Sequence, residues 1–286
     1  MKINYCKCFI YACLIGAGVA CSSEYNPVEE ATRSREVTFR ISEEESLGTK
    51  ATATAFEIGD SIGVYAVRRT DPERVALPLK NGNQAHNAKL VKTAEGWTFA
   101  TLADKIVYPH DGSKLDFYAY YPYDRNASDP EACYFKVKTN QNGENGFKAS
   151  DFMVARNIAG MNEGEVSLTF SHALTMVKVK VSGGTGVVLD EGLKVQMPGM
   201  LTAVSYHLGN DMLTNGQETG MIVLNREAGN EAEYTYAGYL PAQAIEAGVP
   251  LFRCILGKKV YIYNSEAVEL TRGNCTVFEL TLKNEE

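Results

Sequence analysis

Side chains able to do chemistry are few in this chain, and they are scattered. Its four histidines, His86, His110, His172 and His207, form no close pair, and no His-Glu-x-x-His occurs. A structural or catalytic metal site usually draws closely spaced ligands, so no metal and no cofactor is expected. There is no Gly-x-Ser-x-Gly elbow and no phosphate loop. Residues 182–186 (SGGTG) are glycine-rich, but they follow an alternating segment and no helix comes after them. Without a helix N-terminus they lack the dipole that cradles phosphate, and a hairpin turn is their expected role. Paired carboxylates could hydrolyse glycosides, yet nothing marks one pair among 35 acidic residues. No catalytic residue is expected, and the chain reads as a non-enzyme. Tyr118, Tyr120, Tyr121 and Tyr123 cluster among 16 tyrosines and could form a sugar platform, although aromatic strands more often fill cores. His172, on an apolar strand face, reads as a hydrogen-bonded core or interface side chain rather than a ligand.

The 286 residues are 45% hydrophobic and 22% charged, ordinary globular material with room for two domains. Lys2 and Lys7 precede an apolar run from Cys8 to Ala20, too short to span a bilayer as a helix but suited to a secretory signal. Gly18-Val19-Ala20-Cys21, followed by Ser22 and Ser23, resembles a bacterial lipobox. A plain signal peptide or a buried strand is the alternative. Position and flanking charge favour lipidation of Cys21, whose acyl chains would tether the protein to a membrane surface. Removing residues 1–20 leaves 26 basic against 35 acidic side chains, a net of −9, which excludes nucleic acid as a partner. Cys133, Cys254 and Cys275 then cannot build a disulfide framework. Cys254 and Cys275 could bridge neighbouring strands; buried free thiols are the preferred reading.

The elements that must hold these residues are strands. Residues 24–50 are polar and acid-rich, with one alternating piece, Val37-Thr38-Phe39-Arg40-Ile41. SIGVYAV (61–67), a hairpin in 90–99 turning at Glu95-Gly96, and KLDFYAYYPY (114–123) follow. The sole tryptophan, Trp97, should pack in that hairpin. Residues 166–181 (VSLTFSHALTMVKVKV) organise the rest. Their apolar set sits on even numbers to Met176 and on odd numbers from Val177, and a one-residue slip turns every side chain to the other face. One strand should therefore end here and another begin, each facing its own core. Only 243–247 (QAIEA) looks helical. Short strands with turn signals between them predict an all-β fold of two tandem β-sandwiches. The expected division is a signal at 1–20, a tether at 21–36, and sandwiches at 37–172 and 173–286.

Several segments together resemble the fimbrillin (Mfa-like) family of Bacteroides-type bacteria. They are Phe56-Glu57-Ile58-Gly59-Asp60-Ser61-Ile62-Gly63-Val64-Tyr65, then residues 115–123 and 151–155. Phe170-Ser171-His172-Ala173-Leu174 with Val177-Lys178-Val179, and Tyr239-Leu240-Pro241-Ala242-Gln243, complete the series. The resemblance implies two transthyretin-like β-sandwiches. It implies a structural or adhesive subunit (stalk, tip or anchor) of a cell-surface fimbrium, exported to the outer membrane as a lipidated precursor. It also implies assembly by β-strand addition: an arginine near the N-terminus is cut, a groove is freed, and a strand of the next subunit fills it. On this reading Arg33, Arg35 and Arg40 are candidate cut sites, and Val37, Phe39 and Ile41 mark the displaced strand. Phe278, Leu280 and Leu282 mark a candidate donor strand, with an ordinary last strand of the second sandwich the preferred alternative. The implied partners are other fimbrial subunits, self or heterologous, the membrane through the N-terminal lipid, and ligands on host or bacterial surfaces. The alternative function is a surface lipoprotein that binds glycans through exposed aromatics.

Overall fold

Period-two alternation becomes strand along nearly the whole chain. The computed structural model describes residues 35–44 and 56–284, so Cys21 and Arg33 lie outside the described residues. Among the described residues there are twenty strands, one 3-10 turn and one five-residue helix.

The first sheet has seven strands, β1 (Thr38–Glu43), β2 (Ser61–Arg68), β3 (Ala85–Thr93), β4 (Gly96–Phe99), β5 (Leu115–Tyr121), β7 (Met153–Met161) and β8 (Glu165–His172). Their order is β1-β8-β7-β5-β2-β3-β4. One face encloses a first core of Val37, Ile62, Val64, Leu115, Phe117, Val166, Leu168, Phe170 and their neighbours. The two outermost strands meet: the Phe39 ring of β1 lies 6.1 Å from that of Phe99 in β4 and 5.7 Å from Phe117. The sheet therefore curls around its core, and β1 closes it.

A half-buried strand should show one face to water, but all seven residues of β5 are buried. Leu115, Phe117, Ala119 and Tyr121 face the first core, while Tyr118 and Tyr120 belong to a second. Asp116 is also fully buried, and its carboxylate takes both fork hydrogens of Arg69 at 2.8 and 2.9 Å. That bidentate geometry is what lets a charge stay in a core.

The second core is built from β9 (Thr175–Gly183), β10 (Lys194–Leu201), β15 (Glu233–Leu240), β17 (Pro250–Leu256) and β20 (Cys275–Leu282). One sheet runs β14-β15-β9-β20, where β14 is Asn225–Gly229; another runs β13-β10-β17-β18, where β13 is Thr219–Val223 and β18 is Lys259–Asn264. Phe170 lies in the first core and Val179 in the second, and the phase change falls between the end of β8 and the start of β9.

A strap joins the two halves. β6 (Cys133–Lys136) leaves the first half to pair with β11 (Ala203–His207), which also pairs with β12 (Met212–Asn215). Downstream, Val137 N–H bonds Thr202 O at 2.9 Å and Gln141 N–H bonds Val223 O at 2.9 Å. The fully buried Gln141 amide then donates to Tyr239 O at 2.8 Å and accepts from Tyr239 N–H at 2.9 Å, as a neighbouring strand would. The described residues fall in one compact unit.

Three local expectations fail. Residues 243–247 are not helical: Gln243–Ile245 is β16, paired with β19 (Val268–Leu270). Five residues cannot nucleate a helix unaided, and Ile245 finds its burial in the sheet. The helix, α1 (Glu144–Lys148), instead begins inside residues 139–146 (TNQNGENG), whose polar and glycine-rich sequence predicts loop, and is anchored by the Phe147 ring 4.9 Å from Tyr239. Residues 182–186 turn no hairpin either, since β9 pairs with β15 and β20 and the chain crosses to β10 in another sheet.

Candidate functional site

β1 is an edge strand with a single ladder, parallel to β8 from Thr38↔Glu165 to Glu43↔Phe170. Alternation sends Val37, Phe39 and Ile41 inward, with Val37 fully buried, and leaves Thr38, Arg40 and Ser42 exposed. The three residues marked as the displaced strand are thus the ones that plug the first core. Upstream, Val37 N–H bonds Ile106 O and Tyr108 N–H bonds Arg35 O, so the strand is held on both sides of Glu36.

The candidate cut sites differ in setting. Arg35 has Nη1 buried without a partner among the described residues. Arg40 lies within β1, its side chain 75% exposed and paired only with Glu165 at 2.8 Å. An exposed edge strand is already in the extended form that proteases bind.

At its far end β1 carries an inward-facing carboxylate. Glu43 Oε1 accepts from Phe56 N–H at 2.9 Å, while Oε2 is buried with no partner. Close by, His172 Nδ1 meets Asp151 Oδ1 at 2.7 Å, and Asp151 Oδ2 is likewise buried and unpaired. Burial pushes the Glu43 pKa up, reinforced by the Asp151 and Asp60 charges and opposed by the Phe56 hydrogen bond and His172. For His172, burial pulls the pKa down, but the bond to Asp151 and the charges of Asp151, Glu43 and Glu44 outweigh it, so the net shift is up. Asp60 itself is paired with Lys148 at 3.0 Å, and Lys148 also holds Glu57 at 2.6 Å. His172 is therefore a core histidine at the joint between the halves, stacked 5.9 Å from Tyr239.

The candidate donor strand is seated in its own core. β20 is the edge of its sheet and runs parallel to β9. Leu282 is fully buried, Phe278 stacks edge-on to Phe252 at 5.0 Å, and Leu280 packs against the same cluster.

The clustered tyrosines do not form an exposed platform. Tyr118, Tyr120 and Tyr121 are buried, with their hydroxyls bonded to Ala76 O, Asn87 and Asp60. Cys133 and Cys254 are buried free thiols, and burial pushes both up to about 12, where no reactive thiolate forms. Among the described residues no group of three or more His, Cys, Asp or Glu is placed to hold a metal ion. Sequence reasoning missed the Glu43–Asp151–His172 cluster, because its members come from separate stretches and the β1–β8 and β7–β8 registers bring them together.

The fimbrillin-like family (Mfa_like_1) matches residues 49–286, which leaves β1 outside the matched region. "Putative fimbrium subunit Fim1C" of Bacteroides uniformis is 26% identical over 259 residues, 88% of this chain and 79% of that protein. A "putative cell adhesion protein" of Bacteroides uniformis, solved by crystallography, superposes with a TM-score of 0.61 at 23% identity, over 87% of this chain and 93% of that one. Another, from Bacteroides ovatus, gives a TM-score of 0.63 at 16% identity, over 87% and 91%. These structural likenesses establish a shared β-sandwich fold. The family match takes in every strand from β2 to β20, and the chain belongs to the fimbrillin-like family.

Proposed function

We propose that the protein is a structural or adhesive subunit of a cell-surface fimbrium, assembled by exchange of β1 for a strand of another subunit. One observation carries the reading: β1 is an edge strand, and Val37, Phe39 and Ile41 pack with the first core. Removing β1 would leave β8 with a row of unpaired backbone groups above an apolar groove, which an incoming alternating strand satisfies. The similarity to a fimbrium subunit supports the same role. Lipidation at Cys21 and display at the outer membrane belong to this proposal, as does the division into sandwiches at 37–172 and 173–286. No enzymatic activity is part of it.

The position of β1 decides which cut matters. Cutting after Arg33 or Arg35 shortens the tether and leaves β1 on the chain. Cutting after Arg40 detaches Val37 and Phe39, and the next arginine is Arg68, at the end of β2. Arg40 is therefore the productive site. Digestion with an arginine-specific protease should create a new N-terminus at Ile41 and give a trimmed protein that forms ladders on a gel. Trimmed protein that remains monomeric would rule out the stalk role and leave only tip or anchor.

A further inference from the structure

The face of the first sheet that carries Tyr118 and Tyr120 is covered by the second core, but the cover runs out over β7 and β8. Val154 of β7 pairs with Ser171 of β8, so Val154, Arg156, Thr169 and Ser171 share this face. Opposite them stand Tyr206 of β11 and the turn carrying Leu208 and Asp211. Between the two sides lies a cavity of about 240 Å³ lined by these residues. We propose that this cavity binds one sugar ring bearing a carboxylate, as a terminal unit of a surface glycan.

The size points to one ring, since pockets for drug-sized ligands run from roughly 300 to 1,000 Å³. The charges point to the substituent. Arg156 is exposed and makes no ion pair or hydrogen bond among the described residues, although its charge is felt by Asp211 and Tyr118. A guanidinium fork with no hydrogen-bond partner matches a carboxylate bidentately. The second arginine at the site is already occupied: Arg272 Nη2 bonds Asp211 Oδ1 at 2.8 Å and Tyr206 Oη at 3.1 Å, with its guanidinium 5.1 Å over the Tyr206 ring.

Asp211 is built in rather than merely present. It sits in the left-handed region at φ 62°, and the Tyr206 hydroxyl donates to its Oδ1. Burial raises its pKa, but the bonds from Tyr206 and Arg272 together outweigh burial and hold it below the usual carboxylate range. Its Oδ2 has no protein donor among the described residues and can accept a ring hydroxyl. The Ser171 hydroxyl can donate or accept. Thr169 already shares its hydroxyl with Ser42 of β1 at 3.3 Å. Val154 and Leu208, both buried, offer an apolar floor to the C–H face of a ring. One fork for a carboxylate, one fixed acceptor, one hydroxyl and an apolar floor together read a sugar acid better than a neutral sugar or a bare carboxylate.

Calorimetric titration of the full chain with glucuronate, N-acetylneuraminate, glucose and acetate tests the assignment. At least one of the two sugar acids should bind about tenfold or more tightly than glucose and acetate, and Arg156→Gln should weaken it by about tenfold, the scale of one charge-assisted fork. Ser171→Ala should weaken it less. Arg156→Gln should keep the wild-type circular dichroism spectrum, because the side chain is exposed and unpaired. Binding of neither sugar acid, binding of acetate as tight as the sugar acids, or wild-type affinity in Arg156→Gln would each overturn the proposal. The site does not depend on strand exchange, and Arg156→Gln should form ladders like the wild type.

Discussion

Two carboxylate oxygens, Glu43 Oε2 and Asp151 Oδ2, are buried at the end of β1 without partners. Buried polar atoms are almost always satisfied, so this pair marks a place where the fold holds electrostatic tension. The sign can be worked out. Glu43 has a raised folded pKa, so its ionised form opposes the native state at neutral pH, and the opposition is relieved as pH falls through that pKa. His172 also has a raised folded pKa. Its contribution is fully present below its unfolded value and is lost as pH rises through the folded one. Both groups therefore hold the end of β1 most firmly in mild acid. Hydrogen exchange at the Glu44 amide, which bonds Phe170 O, corrected for intrinsic rates, should be more strongly protected near about pH 5 than near about pH 8. Glu43→Gln should raise the thermal midpoint at neutral pH and remove the Glu43 share of the acid-side gain, leaving that of His172. His172→Ala would leave buried Asp151 wholly unpaired and should cost about 3 kcal/mol by urea denaturation, toward the low end for a broken buried pair because His172 is 18% exposed.

The strap from β6 to Gln141 shows, at the scale of elements, how the two halves become one unit. Gln141→Ala removes both bonds to Tyr239. A loss of about 2 kcal/mol is expected from two lost hydrogen bonds. Urea unfolding followed by Trp97 fluorescence, which reports on the first core, should then separate from unfolding followed by circular dichroism. Much of this architecture was legible in residue order. The change of phase within 166–181 pointed to a passage between cores, which falls between His172 and Thr175 rather than after Met176, and the alternation of Val37, Phe39 and Ile41 matches their packing with the first core. The strap was not legible, because Gln141 sits in TNQNGENG and its worth depends on a strand 98 residues away. The double burial of β5 was hidden for a related reason: a tyrosine face looks alike whether water or a second core covers it. The candidate sugar cavity gave no local signal at all, since Arg156, Ser171 and Asp211 come from three elements.

Across the whole molecule, all described ladders between strands are antiparallel except two, and those two involve the outermost strands of the described chain. β1 lies parallel on β8, and β20 lies parallel on β9. β8 and β9 are consecutive strands joined by Ala173 and Leu174. The stretch 166–181 therefore holds the first strand with one half and the last strand with the other. If one neighbour's strand takes the place of β1 on β8 in the same sense and another neighbour pulls on β20, force enters β8 through one ladder and leaves β9 through the other, with two residues of covalent chain between. In each parallel pair the pull runs along the strands in opposite senses, so the ladder is loaded in shear and its hydrogen bonds share the tension instead of unzipping in turn. A fibre made of such units would carry traction along a nearly continuous backbone line, while the sandwiches on either side keep their packing under load.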